Sequence, residues 1–524
     1  MRRSTRLAMA LLCVCLLAAV GCRQAAANVR LPAVFSDHMV LEQGIKIPVW
    51  GWADAGETVT VTLTNRIRKA AAVADSNGRW EVRLDPLAAG GPHTMTVAGK
   101  NTITVSDILV GEVWVCSGQS NMQMSVRSSA DAEAEIAAAR YPNIRLLTVA
   151  RLTADEPRTD CKAAWVACSP ETVPNFSAAG YFFGRHLHKK LGVPIGLINA
   201  SWGGTRAEAW TSGDTLKADA DYKVFYERDA QAIAGYTKAK ENWEKTKDEK
   251  LAKWQEAAKK AKDAGKRAPR RPGPPSPPTS PHRPSVLYNG MIAPIVPYPI
   301  AGAIWYQGES NAGRAYQYRK LFPDMITDWR KHWGQGDFTF LFVQLANFMA
   351  RKDQPVDSAW AELREAQAMT LALAKTGQAV IIDIGDARDI HPKNKQDVGK
   401  RLALAARAIA YGESIVYSGP MYDSMKVEGG KIRLSFKHVG GGLVAEGGGK
   451  LTGFAIAGAD KKFVWADATI DGKNIVVASK NVAEPVAVRY AWADNPQCNL
   501  YNKEELPASP FRTDRWPGVT INAK

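Results

Sequence analysis

Between about residues 107 and 416 the chain repeats one rhythm: an apolar run of β type, a loop, then a helical pattern. The runs fall at 113–116, 144–149, 193–200, 301–306, 338–345 and 379–384. Ser177 is placed to cap a helix carrying Ala178, Tyr181, Phe182, Leu187 and Leu191 on one face and stopping at Gly192. Further helices are predicted over 316–333, 359–374 and 397–411, followed by Gly334, Gly377 and Gly412. Such alternation predicts an α/β unit, a parallel sheet with helices on both faces, because parallel strands must be joined by crossovers. Ligands of such sheets bind beyond the carboxyl ends of the strands, so the loops that follow the β-runs are the place to look for chemistry.

The flanks read differently. From 28 to 106 short strands such as Thr58-Val-Thr-Val-Thr-Leu63 and Trp80-Glu-Val-Arg-Leu84 alternate with turn signals such as Asp75-Ser-Asn-Gly78, predicting a small antiparallel β-sandwich. From 417 to 524 the β pattern returns, with Lys431-Ile-Arg-Leu-Ser-Phe436 and Asn474-Ile-Val-Val-Ala478, predicting a second β-sandwich. An insertion at 236–285 interrupts the α/β unit. Its first part, 236–265, is rich in Lys, Glu and Ala and reads as helix, whereas 268–284 holds eight Pro and reads as extended chain. The insertion carries 14 Lys/Arg against 6 Asp/Glu, which accounts for +8 of the formal net charge of +16. Basicity so localised, without interleaved aromatics, does not predict a nucleic-acid partner. A solvated face is the simpler expectation, and contact with an anionic envelope or polysaccharide the alternative.

The N-terminus reads as an export signal covering residues 1–27: Arg2, Arg3 and Arg6 precede an apolar stretch over 7–20. Two cleavage sites compete. Ala19-Val-Gly-Cys22 approximates a lipoprotein box, which would lipidate Cys22 and attach the protein to a membrane, whereas Ala25-Ala-Ala27 would leave Asn28 first. The expected location is the periplasm, the outer membrane or cell surface as a lipoprotein, or the medium. In such a compartment Cys161 and Cys168 can bridge a short loop. Their spacing is not a zinc pattern, and no metal site is predicted.

Four of the loops carry unusual side chains. Gly118-Gln-Ser-Asn-Met122 presents Ser120, with Gln119 and Asn121, at a Gly-containing turn after a strand. A hydroxyl held clear of a sheet suits nucleophilic acyl transfer; a capping serine in an ordinary loop is the competing reading. The turn is not the G-x-S-x-G elbow, since Met122 replaces the second Gly. In Asn199-Ala-Ser-Trp-Gly-Gly-Thr205 the paired Gly203 and Gly204 let backbone N–H groups approach an oxyanion. In Trp305-Tyr-Gln-Gly-Glu-Ser-Asn311 the amides of Gln307 and Asn311 can donate to the same charge, with Glu309 orienting them. In Asp383-Ile-Gly-Asp-Ala-Arg-Asp-Ile-His-Pro-Lys393, His391 can take the proton of Ser120, with Asp389 or Asp386 holding its tautomer.

These blocks, together with Tyr288-Asn-Gly-Met-Ile-Ala-Pro294 and Tyr490-Ala-Trp-Ala-Asp-Asn-Pro496, resemble those of the sialate O-acetylesterase family, within the SGNH-type hydrolases and related to acetylxylan esterases. The resemblance covers nearly the whole chain after the signal. It implies an SGNH-like sheet and a serine esterase that removes O-acetyl groups from sugars through an acyl-enzyme, without a cofactor. It also implies Ser120 as nucleophile, His391 as general base, and Gly203 or Gly204 with Asn311 or Gln307 as oxyanion donors. The SGNH pattern has Asp three residues before the His. Arg388 stands there, which leaves the acid open between Asp389, Asp386 and a backbone carbonyl. The implied partner is an acetylated sugar, sialic acid first and acetylated xylan or another polysaccharide second; Arg206 is a candidate for the sialate carboxylate. A non-catalytic sugar-binding protein is the rival from another class.

Overall fold

The computed structural model describes residues 28–64, 68–276 and 280–523, so the expected export signal and Cys22 lie outside the described residues. Among the described residues, seven strands make up the main path of the central sheet. They are β1 (Thr102–Gly118), β2 (Tyr141–Thr148), β3 (Trp165–Cys168), β4 (Ile195–Ser201), β5 (Gly302–Tyr306), β6 (Thr339–Gln344) and β7 (Thr376–Val380). Their spatial order is β7-β6-β5-β1-β4-β2-β3. Neighbours run parallel except at one edge, where β3 lies antiparallel to β2. Every residue of β4, β5 and β6 is buried, as a sheet covered on both faces requires.

Five helices matter below: α1 (Ala178–Leu191), α2 (Lys223–Asp263), α3 (Ala315–Trp333), α4 (Ala359–Met369) and α5 (Lys395–Ile409). Register shows that α1 and α5 cover one face and α3 the other. Cys116 of β1 and Ile304 of β5 are partners and share a face, and Cys116 abuts Gly180 of α1. Trp305, one residue further on, faces the other way and packs against Phe322 and Trp329 of α3. On the first face α1 meets α5, where a Cβ at Gly399 would come within 2.6 Å of Phe182. The predicted α/β class with added β-sheets is therefore what the chain adopts.

Several boundaries differ from expectation. β7 ends at Val380, and the apolar residues Ile381 and Ile382 continue as buried loop. α4 stops at Met369 and tightens into a 3₁₀ turn. α5 begins at Lys395, because Asn394 caps it through the N–H of Asp397. The helix of the insertion starts at Lys223 and runs for 41 residues. β1 passes without a break through the junction expected near residue 106: its early residues pair with Gly90–Ala98 and its later ones with β4 and β5. The N-terminal strands and the α/β sheet accordingly share one hydrophobic core, in which Val59 and Trp305 belong to the same cluster. Beyond Gly419 two four-stranded antiparallel sheets enclose a separate core containing Ile432, Phe454, Val488 and Phe511. Cys161 and Cys168 are not bridged. The Cys168 thiol is buried at the end of β3, facing the carbonyl of Ala139.

Candidate active site

Ser120 owes its position to the end of β1. Gly118 has φ +132°, and a Cβ there would overlap the carbonyl oxygen of Tyr306, so the chain can leave β1 this way only as glycine. Gln119 donates its N–H to that same Tyr306 oxygen at 2.9 Å. Ser120 then opens a single helical turn, Ser120–Gln123. Ser177 locks this turn to α1: its hydroxyl donates to the carbonyl of Met122 (2.6 Å) and accepts from the N–H of Gly180 (3.1 Å). One cap thus stabilises a helix and fixes the Ser120 turn.

His391 arrives on the loop after β7, the edge strand three places from β1. Its Nε2 lies 2.9 Å from Ser120 Oγ, and its Nδ1 lies 3.1 Å from Asp389 Oδ1. The same carboxylate oxygen accepts the backbone N–H of His391 at 2.9 Å. That bond, with the imidazole beside it, holds the Asp389 carboxyl below the usual aspartate range. Asp386 instead accepts the N–H of Arg388 at 2.7 Å, and it is Asp389 that meets Nδ1 of His391.

Behind the imidazole lies a buried polar cluster. Asn121 donates to Glu309 Oε1 (2.7 Å) and to the carbonyl of Ile390 (3.0 Å), and accepts from Lys395 Nζ (2.6 Å). Asn121 therefore ties the turn of Ser120 to the residue before His391. Burial raises the Glu309 carboxyl above its ordinary value and pushes the Lys395 ammonium down to about 7. Nothing in the sequence distinguishes Lys395 from a surface lysine in a first helical turn, and it was not among the predicted site residues.

The expected oxyanion groups divide. Gly203 lies against the serine, since a Cβ there would stand 3.3 Å from Ser120 Cβ; its N–H donates to Gln123 Oε1 at 2.6 Å. Gly204, at φ +74°, turns the chain, and its carbonyl accepts the Ser310 hydroxyl. Gln307 and Asn311 do not face the serine. The Gln307 amide donates to Thr205 O and Asn311 Oδ1, and the Asn311 amide donates to Glu208 Oε2. Both are buried and spend their donors on each other and on the 205–208 loop, because polar groups in a core must be paired there. Gln119 is likewise internal, its Oε1 accepting the N–H of Ser310 at 3.3 Å. Arg206 lines a separate small cavity with Glu208, Arg228 and His282.

Ser120 and His391 open onto a cavity of about 650 Å³, also lined by Gln123, Asn175, Asn199 and Arg151. Gln123 and Arg151 were missed, because neither stands in a recognisable block. A larger cavity, about 780 Å³, lies between the N-terminal sheet and the α/β unit near Trp52 and Ser285, and holds none of these groups.

Hydroxyl, imidazole and carboxylate in hydrogen-bonded series at the carboxyl edge of a parallel sheet define a serine hydrolase, equipped for acyl transfer. The comparisons narrow this. A profile of the carbohydrate esterases described as sialic acid-specific acetylesterase matches residues 110–259 and 282–408, and the chain belongs to that family. It is a carbohydrate O-acetylesterase. The sialate O-acetylesterase of Mus musculus is 33% identical over 93% of this chain and 95% of its own length. That of Homo sapiens is 32% identical over 95% of this chain and 96% of its own. A solved structure, the carbohydrate acetylesterase XAC1771 of Xanthomonas citri, superposes with a TM-score of 0.79 at 40% identity, covering 93% of this chain and 100% of that one.

Proposed function

We propose that the protein is an exported sialate O-acetylesterase working through an acetyl–Ser120 intermediate. His391 Nε2 takes the Ser120 proton as the hydroxyl attacks the acetyl carbonyl, while Asp389 accepts from Nδ1–H and stabilises the imidazolium. The oxyanion forms beside Gly203, whose N–H exchanges the Gln123 oxygen for the substrate's. As the intermediate collapses and its bond to the sugar oxygen breaks, His391 gives the proton to that oxygen, which leaves as a hydroxyl. A water that gives its proton to His391 attacks the acetyl group, releasing acetate and restoring Ser120. The 2.9 Å contact between Ser120 Oγ and His391 Nε2, across 271 residues of chain, carries this reading.

Sialate is supported by the two mammalian relatives, named for it and aligned over nearly their full lengths. A second reading, acetylated xylan or another acetylated polysaccharide, is favoured by the 40% identity to an enzyme described only as a carbohydrate acetylesterase. Export is supported by the basic and apolar N-terminal residues, with lipidation at Cys22 or cleavage after Ala27 as its two forms. The test is acetate release from p-nitrophenyl acetate and from O-acetylated sialic acid. Ser120→Ala is expected to lose at least about 1,000-fold in rate with an unchanged circular dichroism spectrum. Equal rates for the two proteins would overturn the proposal. Mass spectrometry of products from acetylated sialic acids and acetylated xylo-oligosaccharides separates the two substrates.

A further inference from the structure

Among the described residues, the cavity that holds Ser120 and His391 is lined by hydroxyls, amides and apolar groups, by no Asp or Glu, and by one Lys or Arg, Arg151. Arg151 follows β2 at the carboxyl edge of the sheet. The preceding residues are held by backbone bonds, Val149 N–H to Asn199 O and Ala150 N–H to Lys162 O, both 2.9 Å. Its guanidinium lies 5.7 Å from the centroid of the Trp202 ring. The backbone N–H of Trp202 donates to the carbonyl of Gly118 at 3.1 Å, which fixes the Trp202 backbone beside the strand end two residues before the nucleophile.

The side chain of Arg151 is exposed to solvent. Elsewhere in the chain Arg145 pairs with Asp107, Arg283 with Asp155 and Asp229, and Arg314 with Glu208. Arg151 makes no ion pair among the described residues. Asp389 does not compensate it, being bound to the far nitrogen of His391. The exposed Arg151 guanidinium, near the Trp202 indole, offers a planar fork of N–H donors matched to a carboxylate.

We infer that Arg151 is the anion-binding residue of the sugar pocket and pairs with the carboxylate of an acidic acetylated sugar. This role takes the place once expected for Arg206, and it rests on the sialate reading given above. The carboxylate fixes which face of the sugar enters, and hence which O-acetyl group reaches Ser120. Acetate, the product, is the other carboxylate in the reaction, and the test separates the two.

The experiment compares kcat/KM for O-acetylated N-acetylneuraminic acid with that for its C1 carboxamide, the same sugar without the charge. Wild type, Arg151→Gln and Arg151→Lys are measured. Because acid and amide are compared within one preparation, their ratio is independent of how much enzyme is correctly folded. Wild type is expected to prefer the acid by about 10- to 100-fold, through KM. Arg151→Gln is expected to bring the ratio close to one, and Arg151→Lys to restore part of it. A ratio unchanged in Arg151→Gln overturns the inference while leaving the sialate reading intact. Loss of acetate inhibition in Arg151→Gln with an unchanged ratio assigns the cation to product and overturns it equally. Acetate release by wild type from acetylated xylo-oligosaccharides, with none from either sialic acid derivative, overturns both the inference and the reading beneath it.

Discussion

Asp389 and Asp386 stand three residues apart in one loop, and only their hydrogen-bond partners distinguish them. Asp389 faces Nδ1 of His391; Asp386 closes a local turn on Arg388. Asp389→Asn is expected to lower kcat by about 10- to 100-fold at nearly constant KM, since the neutral amide cannot stabilise the imidazolium. The loss falls at the modest end because the Asp389 side chain is 43% exposed and water takes over part of its work. Asp386→Asn is expected to stay within about twofold, and steady-state kinetics on p-nitrophenyl acetate check both. Ser120 and His391 were legible as residues, because a hydroxyl at a tight post-strand turn and an imidazole beside carboxylates are poor material for anything else. The roles of Gln307 and Asn311 were not. An amide reads the same in sequence whether it faces a cleft or spends its donors on a neighbouring loop, as these two do.

At the scale of elements, the turn after β1 is the most constrained. Gly118→Ala puts a side chain into the Tyr306 carbonyl at a positive φ, and is expected to cost at least about 2 kcal/mol and to displace Ser120. Gly204→Ala also sits at positive φ but meets nothing within 4 Å, so its cost is expected near 1 kcal/mol. Urea denaturation of the two variants, with activity measured alongside, tests the contrast. Helix ends with strong signals read correctly: Ser177 and Gly192 bound α1, and Gly334 ends α3 in the left-handed region. Weaker signals misled. Ile381 and Ile382 are as apolar as any strand residue, yet they lie beyond the last pairing of β7 with β6. Apolar character registers burial, and burial alone does not specify ladder hydrogen bonds.

Across the whole molecule the basic insertion stands apart from the machinery. α2 has one buried residue, Phe225, along 41, and is about 60 Å long. Its base is fixed by Arg283 to Asp229 and Asp155. Replacing 236–276 by a short Gly/Ser linker is expected to leave the rate on p-nitrophenyl acetate within about twofold and Tm within about 2 °C; a larger fall in either would show that the arm supports the fold. The C-terminal sheets, in contrast, are coupled to the site. Asn495 accepts from Asn347, whose own Oδ1 takes the N–H of Gly385 in the loop leading to His391, and Asp494 accepts the capping hydroxyl of Ser358. From sequence alone came the strand–helix rhythm, the β-rich flanks and the pair Ser120 and His391, all of which rest on local periodicity and side-chain chemistry. Which acid pairs with the imidazole, where the amides point, that Lys395 is buried and that Arg151 lines the cavity of Ser120 were decided only in three dimensions. Those facts depend on contacts between loops far apart in the chain, whose closeness is set by sheet order and core packing and leaves no mark on the local pattern of residues.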